Sequence, residues 1–214
     1  MVHFGDIPEE FCTYNNSKVV IIPVPYDGTS TWGKGADGGP SAILEASANM
    51  ELFDIDKWQE FYTVGIYTEK PIKPHSNPED MVYDTYKTTR KHILSDKYCI
   101  TLGGEHSVSI GAIKAHQELY DNLTILQLDA HSDLRQEYDG SLNNHACVMA
   151  RAKEKSPIVQ VGIRSMCIEE TETIDKERVF FAHKIMDNNN WMDDAIKLLS
   201  KNVYIIIDLD VFDP

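Results

Sequence analysis

Short apolar runs bounded by glycine, proline and charge recur along the chain, and their spacing restricts the folds open to it. KVVIIPV (18–24), YCITL (98–102), LTILQLD (123–129), IVQVGI (158–163), VFFAH (179–183) and NVYIIIDLD (202–210) are rich in β-branched and aromatic residues and almost continuously apolar. Strands buried on both faces read this way. Between them, 41–52, 80–96, 107–120 and 187–200 carry helical patterns. Strand and helix alternating in this order predict an α/β fold of three layers, with a central, mostly parallel sheet and helices on both faces. Segment 54–80, holding Pro71, Pro74 and Pro78, is the least regular part and is expected to carry a strand near 62–66 and a loop.

With 214 residues, 42% of them hydrophobic, the chain can build one α/β core, and a single domain over 1–214 is expected. No window approaches the roughly 18–20 apolar residues of a membrane span, and the polar start MVHFGDIPEEF has neither part of a secretory signal. A cytoplasmic protein without a membrane partner is expected. Cys12, Cys99, Cys147 and Cys167 match no zinc spacing and read as reduced thiols. Twenty basic against 34 acidic residues leave a formal charge of −14, a field that repels nucleic acid and attracts small cations. Acidity of this size also simply aids solubility.

Three of the expected strands run into possible ligands: YCITL into GGEH, LTILQL into DAHSD, and NVYIII into DLD. In open parallel sheets, groups beyond the carboxyl ends of strands converge even when distant in sequence. In extended chain Asp129, His131 and Asp133 point to one face, as do Asp208 and Asp210. Four carboxylates crowded to about 4 Å repel by roughly 4 kcal/mol per contact at an effective dielectric of 20, so a few contacts rival the stability of a domain. Protonation or metal must relieve this. Two divalent ions offset the four carboxylates, and His106 and His131 add neutral imidazole donors. A shell of carboxylate and imidazole without thiolate suits a harder ion such as Mn²⁺ better than a structural zinc.

Each fragment also has an ordinary reading. A lone Asp-x-His-x-Asp is often a solvated loop, an Asp after a strand is often a helix cap, and GGEHS could be a turn whose Ser107 caps helix 107–120. Their joint occurrence at strand ends, six ligands for two ions, is what favours a dinuclear site.

GGEHS, LDAHSD and DLDVFDP, in this order, resemble the ureohydrolase family, which includes arginase and agmatinase. The resemblance extends to IIPVPYDGTSTWGKGADGGPSAI (21–43), NNHACVMARA (143–152) and QVGIRS (160–165), and so covers most of the chain. It implies an arginase-like fold and two manganese ions, one held by His106, Asp129, Asp133 and Asp208 and the other by His131, Asp129, Asp208 and Asp210, with Asp129 and Asp208 bridging. The implied reaction is hydrolysis of a guanidino group to urea and an amine. A guanidinium stays protonated to a pH of about 12 or above, so it resists plain water. A water shared by two ions is acidified to hydroxide near neutral pH. Asp133 would orient it and pass its proton to the departing amine, and His145 would shuttle protons from solvent. A homo-oligomer, trimer or hexamer, and a small cationic guanidino substrate are further expectations of the resemblance.

Other readings compete. GKGADG (33–38) matches a dinucleotide fingerprint, but PYDGTSTW separates it from the preceding strand, and its glycines instead suit a loop over a site rim, with Pro40 starting the next helix. Tyr26 and Trp32 could line that rim or be buried. A zinc deacetylase shares the Asp-His-Asp set around one ion, whereas His106 and Asp210 favour two. A non-catalytic metal-binding protein is the third alternative, because the chain ends at Pro214 inside DLDVFDP, without the acidic residue that grips the guanidinium in the family, and is expected to be part of a longer one. The loop LRQEYDGSLNNHACVMARA resembles the agmatinase branch, implying agmatine cleaved to putrescine and urea, as in polyamine biosynthesis, with arginine and guanidinobutyrate as alternatives. Arg135 in that loop would repel a cationic substrate unless paired with Glu137 or Asp139.

Overall fold

A computed structural model describes residues 3–186 and 190–212. The chain divides into two compact units, 1–112 and 113–214. In the first, α1 (Glu9–Cys12) precedes β1 (Val19–Val24), α2 (Gly39–Ser47), the short strands β2 (Phe53–Asp54) and β3 (Gln59–Glu60), β4 (Ile66–Thr68), α3 (Pro78–Ile93) and β5 (Tyr98–Gly103). Helix α4 (Val108–Leu119) contains the point of division. The second unit follows with β6 (Leu123–Leu128), α5 (Val148–Lys153), β7 (Ile158–Ile163), β8 (Val179–Phe181), α6 (Ala182–Ile185), α7 (Trp191–Lys197) and β9 (Asn202–Ile207).

In the first unit β1 lies between β4 and β5, parallel to both, with Val19 opposite Ile66 and Tyr98. Strand β1 is buried almost throughout, as its unbroken apolar run requires. Helices α2 and α3 pack on β1 and β5. Helix α3 starts where Asn77 accepts from the backbone N–H of Asp80 at 2.8 Å, with Pro78 in its first turn. The second unit holds a parallel four-stranded sheet in the order β8-β7-β6-β9. Val159, Val161 and Ala195 form its core on one side, covered by Leu126, Phe180 and Trp191.

The six expected apolar runs all form strands, VFFAH and NVYIIIDLD only as far as Phe181 and Ile207, and the expected helices begin or end a few residues away. Of helix 187–200, residues 187–189 lie outside the described residues and α7 supplies Trp191–Lys197; the last two residues of DLDVFDP also lie outside them. Two expectations are corrected. Segment 54–80 puts a 3-10 turn at Phe61–Val64 and its strand at Ile66–Thr68, and β2 with β3 forms a small antiparallel hairpin. Strand β9 is not buried on both faces: Ile206 is buried while Ile205 and Ile207, on the opposite face, are 52% and 54% exposed. Among the described residues no helix is long and apolar enough to cross a membrane.

Candidate metal centre

Strand β6 delivers LDAHSD at its carboxyl end, and the ladder to β7 continues past it. Asp129 N–H donates to Val161 C=O at 3.0 Å, Arg164 N–H to Ala130 C=O at 2.8 Å, and Ser132 N–H to Ser165 C=O at 3.3 Å. Gly162 makes this possible. It has φ +93° at the irregularity in β7, and a Cβ there would sit 2.7 Å from Val211 Cγ2 and 3.0 Å from the Asp129 carbonyl oxygen. Strand β9 brings the second motif alongside, with Asp208 N–H donating to Leu128 C=O at 2.9 Å.

The alternation expected for extended chain is only partly kept. Asp133 has φ +49°, a left-handed conformation, so its side chain does not follow from strand geometry. Asp210 stands in a 3-10 turn, Leu209–Phe212, rather than in the strand. Hydrogen bonds hold both departures: Asp133 C=O accepts from Met149 and Ala150 N–H at the start of α5, at 3.0 and 3.2 Å. The N–H of Asp210 donates to Asp208 Oδ1 at 3.3 Å.

The result is a cluster of oxygen and nitrogen donors around one buried carboxylate. Asp129 is 1% exposed. Ligand atoms of Asp129, His131 and Asp210 lie within 4.8 Å of one another, and an oxygen of Asp129 lies equally close to one of Asp208. His131 Nδ1 is 3.7 Å from Asp129 Oδ1 and 2.9 Å from Asp210 Oδ2. The Asp129 carboxylate, with Asp210 and Asp133, pushes the His131 pKa up to about 9 against the opposing effect of desolvation. The same field that favours a proton on the imidazole favours other cations. The donor set of carboxylate and imidazole, without sulfur, fits a hard or borderline divalent ion. Asp133 adds to the field at His131 but stands outside the tight cluster.

In the first unit, His106 follows β5 in the turn leading to α4. Gly104 allows that turn, since a Cβ there would lie 2.1 Å from the Tyr26 carbonyl oxygen, which accepts from Glu105 N–H at 2.9 Å. Ser107 donates its hydroxyl to Glu105 Oε1 at 2.7 Å, and its N–H to Glu105 Oε2 at 2.8 Å. The buried Glu105 also takes the Thr29 hydroxyl at 2.9 Å, tying this turn to the loop after β1. In that loop Tyr26 is buried and Trp32 is 96% exposed, and Pro40 does open α2.

The arginase family model matches residues 17–214. The chain belongs to the arginase family. An N(1)-aminopropylagmatine ureohydrolase from a Synechocystis species is 35% identical over 217 residues, covering 96% of this chain and 71% of that protein. An agmatinase from Halalkalibacterium halodurans is 32% identical, covering 94% of this chain and 71% of its own length. Among solved structures, the agmatine ureohydrolase of Thermoplasma volcanium superposes with a TM-score of 0.87 at 28% identity, covering 98% of this chain and 72% of that one. The arginase-like α/β fold and a hydrolase of this family, expected from GGEHS, LDAHSD and DLDVFDP, therefore stand.

Within this arginase-family unit, His145 opens a 3-10 turn, His145–Cys147, whose preceding residue Asn144 accepts from Ala146 N–H at 3.1 Å. Arg135 N–H donates to Ala146 C=O at 3.1 Å, which brings the His145 turn beside the DAHSD loop. Tyr138 meets the His145 ring edge to face at 6.1 Å and carries the Arg135 guanidinium 4.6 Å above its own ring. Two supports of this cluster, Gln127 and Glu170, and one of the His106 turn, Glu105, were missed by sequence reasoning. Glu170, buried, accepts from Leu134 N–H and Cys167 N–H, both at 2.7 Å, and so ties the end of DAHSD to the segment after β7. Acidic residues such as Glu105 and Glu170 look like surface charge until their burial is known. A glutamine in the middle of an apolar strand, by contrast, is a visible anomaly that LTILQL and IVQVGI both display.

Proposed function

We propose that the protein is a dinuclear manganese ureohydrolase that cleaves agmatine to putrescine and urea. The observation that carries this reading is Asp129, a buried carboxylate within reach of His131 and Asp210 and also of Asp208, where a bridging ligand belongs. The family resemblance completes the set: His106, Asp129, Asp133 and Asp208 for one ion, His131, Asp129, Asp208 and Asp210 for the other. When bound, the ions supply an activated water and offset the four carboxylates.

The chain's own groups do the rest. Asp133 holds the proton of the attacking water and hands it to the nitrogen that leaves as amine. His145 exchanges protons with solvent, its ring braced by Tyr138. The surplus negative charge of the cluster receives a guanidinium, while Arg135 keeps its charge and is held over the Tyr138 ring. His145→Asn is expected to lower kcat by about 10²–10⁴ while both ions stay bound; loss of manganese instead would make His145 a structural residue. The same reading carries a cytoplasmic homo-oligomer, checked by light scattering on the purified protein.

A second reading has its own support. Relatives named as N(1)-aminopropylagmatine ureohydrolases reach 35% identity, against 32% for a named agmatinase. The substrate would then be agmatine extended by an aminopropyl group. Urea release with added Mn²⁺ from agmatine, N(1)-aminopropylagmatine, arginine and guanidinobutyrate separates these. The highest kcat/KM on agmatine supports the first reading, on its aminopropyl derivative the second, and no urea from any of the four contradicts both.

A further inference from the structure

Two glutamines sit side by side in the most buried part of the second unit's sheet. Gln127 and Gln160 are 0% and 1% exposed, on neighbouring strands β6 and β7 and directly opposite in register. Parallel strands covered on both faces are normally apolar, and burying an unpaired amide costs several kcal/mol. These amides are not unpaired. Gln127 Nε2 donates to Asp129 Oδ2 at 2.7 Å and to the His131 carbonyl at 3.2 Å. Gln160 Nε2 donates to Gln127 Oε1 at 2.6 Å and to the Ser132 carbonyl at 2.8 Å.

Chemistry fixes the direction of this chain. Asp129 and the His131 carbonyl can only accept, so the Gln127 NH₂ must face them and its oxygen must face away. That oxygen and the Ser132 carbonyl are again acceptors, so the Gln160 NH₂ must face both. Neither amide can flip without setting oxygen against oxygen. Both hydrogens of each NH₂ are then used, and the pair grips three successive features of the DAHSD loop: the Asp129 side chain, the His131 carbonyl and the Ser132 carbonyl.

We propose that Gln127 and Gln160 form a buried amide relay that positions the Asp129 carboxylate for metal. The relay rests on the metal reading of the previous subsection. Asp129 Oδ1 takes the His131 N–H at 2.7 Å and Oδ2 takes Gln127. With both oxygens held in this way the plane of the carboxylate is fixed, which is what a ligand shared between two ions needs. Gln127 is a positioning residue and Gln160 acts through it.

The test uses methionine, which keeps length and approximate volume and removes the donor. Purified wild type, Gln127→Met, Gln160→Met and the double variant are stripped with chelator, checked for folding by thermal melts, and titrated with Mn²⁺ by calorimetry. Gln127→Met is expected to weaken Mn²⁺ binding about 10–100-fold, Gln160→Met by less, and the double variant no more than Gln127→Met alone. Independent, additive losses would overturn the relay, as would a folded Gln127→Met with wild-type affinity. Should Gln127→Met fail to fold, a folded Gln160→Met with wild-type affinity overturns it, and a weakened one supports it. If neither single variant folds, the pair serves the sheet rather than the metal and the proposal is overturned. Wild type that takes up no Mn²⁺ removes the metal reading and the relay with it, a result distinct from unchanged variants of a binding wild type.

Discussion

Asp133 shows how one residue can hold a conformation that its neighbours require. Its left-handed backbone, φ +49°, costs an L-residue about 1–2 kcal/mol. The strain is held by Met149 and Ala150 donating to its carbonyl and by Glu170 receiving the next N–H, that of Leu134. Asp133→Gly, checked by urea unfolding of the metal-free protein, is expected to be more stable than Asp133→Ala by about 1 kcal/mol, while both lose manganese affinity. Equal stability would mean that the backbone there is unstrained. His131 carries a pH signature. Its pKa, raised to about 9 from 6.5, means that metal must displace a proton from the imidazole below that pH. Manganese affinity should therefore rise with pH up to about 9, with proton release in calorimetry; affinity flat from pH 6.5 to 9 would contradict this. For the metal-free protein the sign reverses. The stability contributed by protonated His131 is fully present below about 6.5 and is lost as pH rises through about 9.

At the scale of elements, the strands were legible because an apolar run of five or six residues has few other places to go, and β1 and β7 are buried as such runs predict. The extended geometry assumed for DAHSD and DLD was not legible. The chain leaves the strand at Leu128 and at Ile207, and the turns that follow are set by partners distant in sequence. Glu170, 36 residues from Leu134, is the clearest case. Helix α5 and the β2–β3 hairpin escaped for another reason: six and two residues respectively are too short to show a period. Glu170→Ala should strip the buried Leu134 N–H of its acceptor and destabilise the protein by about 1–3 kcal/mol from that bond alone, measured by urea unfolding. Glu170→Gln, which keeps one accepting oxygen, should lose less. A neutral Glu170→Ala would mean that the loop after β6 is held by its ladder to β7 without help.

For the whole molecule, what sequence resolves best is which groups are gathered, and what it resolves least is how each is aimed. His131 and the acidic residues of LDAHSD and DLD all lie just beyond strand ends in the second unit, yet Gln127, Gln160 and Glu170, which hydrogen-bond around them, lie in strand interiors and in a separate 3-10 turn. The formal charge of −14 spreads over the chain and explains little by itself. Concentrated around a buried Asp129, the same kind of charge favours a cation beside it. Metal binding to the folded protein alone would add about 2.7 kcal/mol of stability at a hundredfold excess over Kd. The most direct measurement is metal content by mass spectrometry after the chelator-stripped protein is loaded with Mn²⁺ and desalted. Two manganese ions per chain are predicted for the wild type and fewer for Asp129→Ala; retention of none, of one alone, or of the same number in both proteins would contradict the dinuclear centre.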